Sequence, residues 1–90
     1  MSITVSIPTI LRSYTNNVRS VPATGATLGD VISDLDKQFP GIADRLIEEG
    51  QLRRFVNIYV NDEDVRFLGS LTTSLSDGDN VTILPAVAGG

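Results

Sequence analysis

The sequence predicts an α+β domain, a mixed sheet of four to five strands with one main helix packed on one face. Three observations predict it. Ile3, Val5 and Ile7 alternate with Thr4 and Ser6, and Val56, Ile58 and Val60 alternate with Asn57 and Tyr59, the period-two pattern of strands with one buried face. Between them, Leu28, Val31, Ile32, Leu35 and Phe39 recur at helical spacing and form one apolar stripe, with Asp34, Asp36 and Lys37 on the other side. Strands stand at both ends of the chain with the helix inside, unlike a run of alternating β-α units.

Each element follows from local chemistry. The first strand ends at Pro8, which removes a ladder donor. Asn16-Asn17 supplies turn conformations, and Val18 to Val21 reads as a second strand closed by Pro22 and Gly25. Ile10, Leu11 and Tyr14 in the connection read as packing residues. Thr27 caps the helix, its hydroxyl placed to accept from the amide of Asp30, and Pro40-Gly41 stops it. Gly29 near the helix start implies close packing on a strand. Ile42 and Leu46, four apart among the helix formers of Ala43 to Glu49, predict a short second helix before Gly50. After the strand Val56 to Val60, Asn61-Asp62-Glu63-Asp64 reads as a polar turn and Val65 to Leu68 as a short strand ended by Gly69. The acidic run lacks the spaced ligands, glycine and distal glutamate of a calcium loop, so it reads as a solvated turn. Leu71 and Leu75 suit one helical or 3₁₀ turn closing the end of the core. Asp77-Gly78-Asp79 turns the chain into the last strand, Val81 to Leu84. With the first and last strands as parallel neighbours at mid-sheet, this order fits the β-grasp: one domain over 1–84, then a flexible tail over 85–90.

Composition narrows the function. A chain of 90 residues with 41% hydrophobic and 20% charged residues has room for one core, burying roughly 60–65% of its unfolded surface. It has no cysteine and no histidine, which removes disulfides, thiolate sites, the usual general base and the commonest metal ligand. No catalytic and no metal-binding residue is assigned. A net charge of −4 argues against nucleic acid and acidic membrane as partners. The N-terminus lacks a signal-peptide pattern and no apolar run is long enough to span a bilayer, so the expected location is the cytoplasm.

What remains is the chain end. Gly89 and Gly90 have no Cβ and can enter a slot too narrow for side chains, so the Gly90 carboxyl reads as a covalent handle on a stalk of Pro85, Ala86, Val87 and Ala88. One helix covers one face of the sheet. If Val56, Ile58, Val60, Val81 and Ile83 face it, Leu84 and Tyr59, and with them Phe55, point away and form an apolar patch for docking an enzyme that receives the tail.

Three stretches then matter together: Thr4 to Arg12, Phe55 to Phe67, and Asp77-Gly78-Asp79 followed by Val81-Thr82-Ile83-Leu84-Pro85-Ala86-Val87-Ala88-Gly89-Gly90. They resemble the ubiquitin-like sulfur carriers of the ThiS/MoaD family, and the Asn57-to-Phe67 match favours its cysteine-biosynthesis branch. The resemblance implies a protein co-substrate with no cofactor of its own. An E1-like adenylating and sulfurtransferase enzyme would use ATP and magnesium to activate the Gly90 carboxylate, and sulfur would replace AMP to leave a thiocarboxylate. A pyridoxal-phosphate-dependent cysteine synthase would take up the sulfur, and a zinc metallopeptidase would release cysteine. Other branches serve thiamin or molybdopterin synthesis. Conjugation of Gly90 to lysines, as a ubiquitin-like modifier, and an interaction domain with an unmodified tail are the other readings.

Overall fold

The computed structural model describes residues 2–53 and 56–85. In chain order the elements are β1 (Ser2–Ser6), β2 (Ser20–Thr24), α1 (Leu28–Gln38), α2 (Ile42–Leu46), β3 (Ile47–Glu48), β4 (Gln51–Leu52), β5 (Val56–Val60), β6 (Glu63–Asp64) and β7 (Asn80–Pro85), with 3₁₀ turns at Thr9–Leu11, Val65–Phe67 and Ser70–Thr72. The five-stranded sheet runs β2-β1-β7-β5-β6. β1 and β7 are parallel, with Val5 opposite Val81, and β7 is antiparallel to β5, with Ile58 opposite Ile83. The first and last strands are thus neighbours, and β7 is the middle strand, as the β-grasp order requires.

Alternation puts Ile3, Val5, Val21, Ala23, Ile58, Val81 and Ile83 into one buried cluster with Leu28, Val31, Ile32 and Leu35 of α1. Burying each large side chain contributes about 1.5–3 kcal/mol. The Thr27 hydroxyl accepts from the Asp30 amide at 3.3 Å, the expected N-cap. α1 also protects the outer edge of β2. Its Asp34 Oδ2 accepts from the Thr24 amide at 3.1 Å, and Gln38 Nε2 donates to the Pro22 carbonyl at 3.0 Å.

That last bond corrects one expectation. Pro22 does not close the second strand but lies inside it, opposite Thr4. Its carbonyl points outward to Gln38, so its missing N–H also falls on the outer edge, where no ladder bond is lost. Gly29 packs on a turn instead of a strand: a Cβ there would stand 3.2 Å from the Leu71 carbonyl. The second helix stops at Leu46, earlier than its helix formers suggest. The chain folds instead into a hairpin of β3 and β4, with Glu48 opposite Gln51 and positive φ at both Glu49 and Gly50.

The polar run is a turn at Asn61-Asp62, where φ is 49° and 73°, and its last two residues form β6. Val65 to Leu68 is therefore not a strand. The Asp64 carboxylate accepts from the Arg66 amide at 2.9 Å and starts a 3₁₀ turn. Only Val65 is inserted into the core, while Phe67 is 88% exposed. Leu75 is buried beside the turn Ser70–Thr72 and closes the end of the core.

Candidate functional site

β7 delivers the chain to the proposed handle. Its last described residues are held by β5, with Leu84 opposite Asn57 and Pro85 opposite Val56, so the strand includes Pro85. Ala86, Val87, Ala88, Gly89, Gly90 and Phe55 lie outside the described residues.

The sheet face away from α1 is mostly polar, carrying Thr4, Ser6, Asn57, Asn80 and Thr82. Leu84 interrupts it at 45% exposure. Tyr59 is half-buried and lies opposite Thr82, which makes it the diagonal neighbour of Leu84 across the β5–β7 ladder. With Asp62 and Thr82 they line one shallow depression of about 230 Å³. Two of the residues expected in the docking patch are thus brought together beside the tail root.

The structure adds Ile10 to this region. A groove of about 380 Å³ on the β1 side of Leu84 is lined by Ser6, Pro8, Ile10, Arg12 and Thr82 together with Leu84 itself. Ile10 is 65% exposed, which corrects its reading as a packing residue. Leu11 is the residue of that turn that enters the core. Successive side chains of a 3₁₀ turn project about 120° apart, so a buried Leu11 leaves Ile10 outside. The pair Ile10-Leu11 held that signal, but the inward member is fixed only once Pro8 has turned the chain.

Cations surround the tail root. Arg45 and Arg53 line a small cleft of about 150 Å³ floored by Pro8, Leu11, Val56 and Ile83. Arg45 Nε donates to the Tyr14 hydroxyl at 2.7 Å, and this contact raises the pKa of a guanidinium already charged at all working pH values. Arg53 Nε donates to the Asp44 carbonyl at 2.9 Å, and its Nη1 lies 3.4 Å from Glu48 Oε2. Arg12 Nε donates to the Ile7 carbonyl at 3.3 Å. These groups can orient a partner and a chain end. With neither histidine nor cysteine in the chain, they offer no carrier for a proton or acyl group near neutral pH. Among the described residues no three potential metal ligands of the His, Cys, Asp and Glu types come together, and no helix is long and apolar enough to cross a membrane.

Residues 5–90 match the ThiS family. The sulfur carrier protein CysO of Mycobacterium tuberculosis is 63% identical over 93 aligned residues that span the whole of both chains. Its crystal structure matches with a TM-score of 0.92 at 62% identity, covering 94% of this chain and 99% of that one. A chain in the crystal structure of the Amycolatopsis orientalis BexX/CysO complex is 57% identical, with a TM-score of 0.94 over 98% and 99% of the two chains. The small archaeal modifier protein 3 of Haloferax volcanii is 45% identical over 65 residues, 72% of this chain and 71% of that protein.

Proposed function

The chain belongs to the ThiS family, as a small ubiquitin-like carrier and not an enzyme, and from that premise we propose that it carries sulfur for cysteine biosynthesis as a thiocarboxylate on Gly90. The observation that carries this reading is the 63% identity, along the whole of both chains, to a protein named as a sulfur carrier. The 57% identity to a chain of the BexX/CysO complex supports a partner protein.

The free carboxylate of Gly90 is a poor electrophile. An adenylating enzyme using ATP and magnesium joins AMP to it and releases pyrophosphate. Sulfur from a donor then forms a bond to the carbonyl carbon as the bond to AMP breaks. The resulting thioacid is anionic at neutral pH and has a soft, exposed sulfur, so it is nucleophilic without a neighbouring base. A chain with no histidine therefore loses nothing by lacking one. In a pyridoxal-phosphate-dependent cysteine synthase the thiocarboxylate sulfur bonds to the β-carbon of an activated serine whose leaving group departs. An S-to-N acyl shift then converts the thioester into an amide between Gly90 and cysteine, and a zinc metallopeptidase hydrolyses that amide, releasing cysteine and restoring the Gly90 carboxylate. The cofactors belong to these enzymes, and the cycle runs in the cytoplasm.

The carrier contributes a thin tail on a rigid root. β7 is the middle strand, paired with β1 over Asn80–Thr82 and with β5 as far as Pro85, so the handle follows a strand anchored in the sheet. Leu84 and Tyr59, with Ile10 beside them, are the address at which the adenylating enzyme docks, and Phe55 belongs to the same proposed patch.

Intact-mass spectrometry of the protein taken from its own cells tests the reading. Exchange of one oxygen for sulfur at the C-terminus is the expected mass gain, and a carrier-cysteine adduct marks the cysteine branch. Deleting Gly90 abolishes both and leaves the fold unchanged. Free acid alone under sulfur-replete growth overturns the proposal. A second reading, attachment of Gly90 to lysines of other proteins, is supported by the 45% identity to the Haloferax modifier protein. It predicts high-mass conjugates in the same experiment.

A further inference from the structure

β6 covers only half of its neighbour. It pairs with β5 at Tyr59 and Val60 and then stops, so that among the described residues no strand covers the outer edge of β5 toward Val56. The inner edge of this same half holds the tail root, because Asn57 lies opposite Leu84 and Val56 opposite Pro85.

Arg66 occupies the gap. Its Nη1 donates to Asn57 Oδ1 at 2.6 Å, and its Nη2 donates to the Val56 carbonyl at 2.6 Å and the Arg53 carbonyl at 3.1 Å. The base of the side chain is fixed as well. Val65 next to it is fully buried, and the Asp64 carboxylate accepts the Arg66 backbone N–H at 2.9 Å. A planar guanidinium can serve a side-chain amide and two backbone carbonyls at once; a lysine ammonium is a point charge with no such fork.

We infer that Arg66 is a positioning residue for the carrier cycle: it stands in for the missing strand, holds the start of β5, and so fixes the point where β7 ends and the tail departs. The inference rests on the reading of the tail as the substrate of an adenylating enzyme. Without the clasp, the first residues of β5 and the last of β7 separate together. Each residue that leaves the ladder adds about 3.3 Å of unpaired chain ahead of Gly90. It must also be ordered again on docking, which weakens the apparent affinity about tenfold per residue. Once docked, the tail reaches the same place, so the chemical step keeps its rate.

The test uses the full chain with its adenylating enzyme, following ATP–pyrophosphate exchange against carrier concentration for wild type, Arg66→Ala and Arg66→Lys. Hydrogen exchange of the free carriers runs in parallel. Arg66→Ala is expected to raise KM about tenfold with kcat unchanged, and to speed amide exchange at Asn57 and Leu84, which face each other across the β5–β7 ladder, while α1 keeps its protection. Arg66→Lys is expected to fall closer to Arg66→Ala than to wild type. An unchanged KM, or exchange that accelerates evenly through α1 as well, overturns the inference. Should wild type itself support no pyrophosphate exchange, the sulfur-carrier reading fails. Amide exchange at Leu84 then still decides, unchanged rates in Arg66→Ala refuting the clasp and faster rates supporting it.

Discussion

Asp79 shows how one half-buried residue can join three segments. Its Oδ2 accepts from the Ser76 amide at 2.8 Å and its Oδ1 from Asn61 Nδ2 at 2.9 Å, while its backbone carbonyl accepts from the Thr4 amide at 3.1 Å. Asn61 in turn accepts from the Asn80 amide at 3.0 Å. The turn before β7 and the turn after β5 are tied through this carboxylate, and the strand β1 through the backbone carbonyl of the same residue. The Ser76 amide first, and the Asn61 amide second, hold its pKa below the ordinary aspartate value. A depressed folded-state pKa means that the charged form favours folding. The contribution is complete above the unfolded value of about 3.9 and is lost as pH falls through the lower folded value. Asp79→Asn is therefore expected to lower the urea midpoint at pH 6 and to show a smaller loss than wild type on acidification to pH 3. Equal midpoints for the two proteins at pH 6 would refute this role.

At the scale of elements, the passage from β2 into α1 leaves no room for a side chain at Gly25. A Cβ on Gly25 would stand 2.7 Å from the Val31 amide nitrogen and 2.8 Å from Asp30 Cβ, both inside contact distance. The helix start cannot retreat, because Leu28 and Val31 are fully buried and the Leu28 amide donates to the Thr73 carbonyl at 3.0 Å. Gly25→Ala is expected to cost about 1–3 kcal/mol by overpacking, read as a fall in the urea midpoint with an unchanged m-value. Wild-type stability would show that the junction has slack. α1 itself was legible in the sequence, since its stripe and its Thr27 cap are local features. So were β1, β5 and β7, long enough for alternation to show. The hairpin of β3 and β4 and the strand β6 were not, because strands of two residues have no period to detect. Pro22 differs from its sequence expectation for another reason: whether proline ends a strand or lies on its edge depends on which neighbour is absent, a tertiary fact. The candidate site divides in the same way. Leu84 and Tyr59 follow from alternation, whereas Ile10 and Arg66 acquire their positions from a turn and from the place where β6 stops.

Over the whole molecule, charge is sorted along β7. Eleven acidic residues outnumber seven basic ones, yet Arg12, Arg45, Arg53 and Arg66 gather around the end where the tail leaves. Asp77 and Asp79 lie at the other end, where Asp77 Oδ1 accepts from the Ser2 amide at 2.7 Å. A partner with an acidic mouth is attracted to the tail end and repelled by the opposite pole, an effect that salt screens. The apolar contact at Leu84 lies between Arg12, which lines the groove on its β1 side, and Asp62, which lines the depression it shares with Tyr59. Leu84→Asp places a carboxylate there and removes the side chain from the depression shared with Tyr59. Because Leu84 lies on the open face at 45% exposure, the core and the urea midpoint are expected to stay near wild type. Affinity for the adenylating enzyme, measured by titration calorimetry, is expected to fall tenfold or more, about 1.4 kcal/mol or above. Leu84→Ala separates the two contributions, since it removes the contact and leaves the charge alone. It is expected to lose affinity by the same factor at low and high salt, whereas the additional loss in Leu84→Asp shrinks as salt is raised. Unchanged affinity in both variants would move the docking site away from this face.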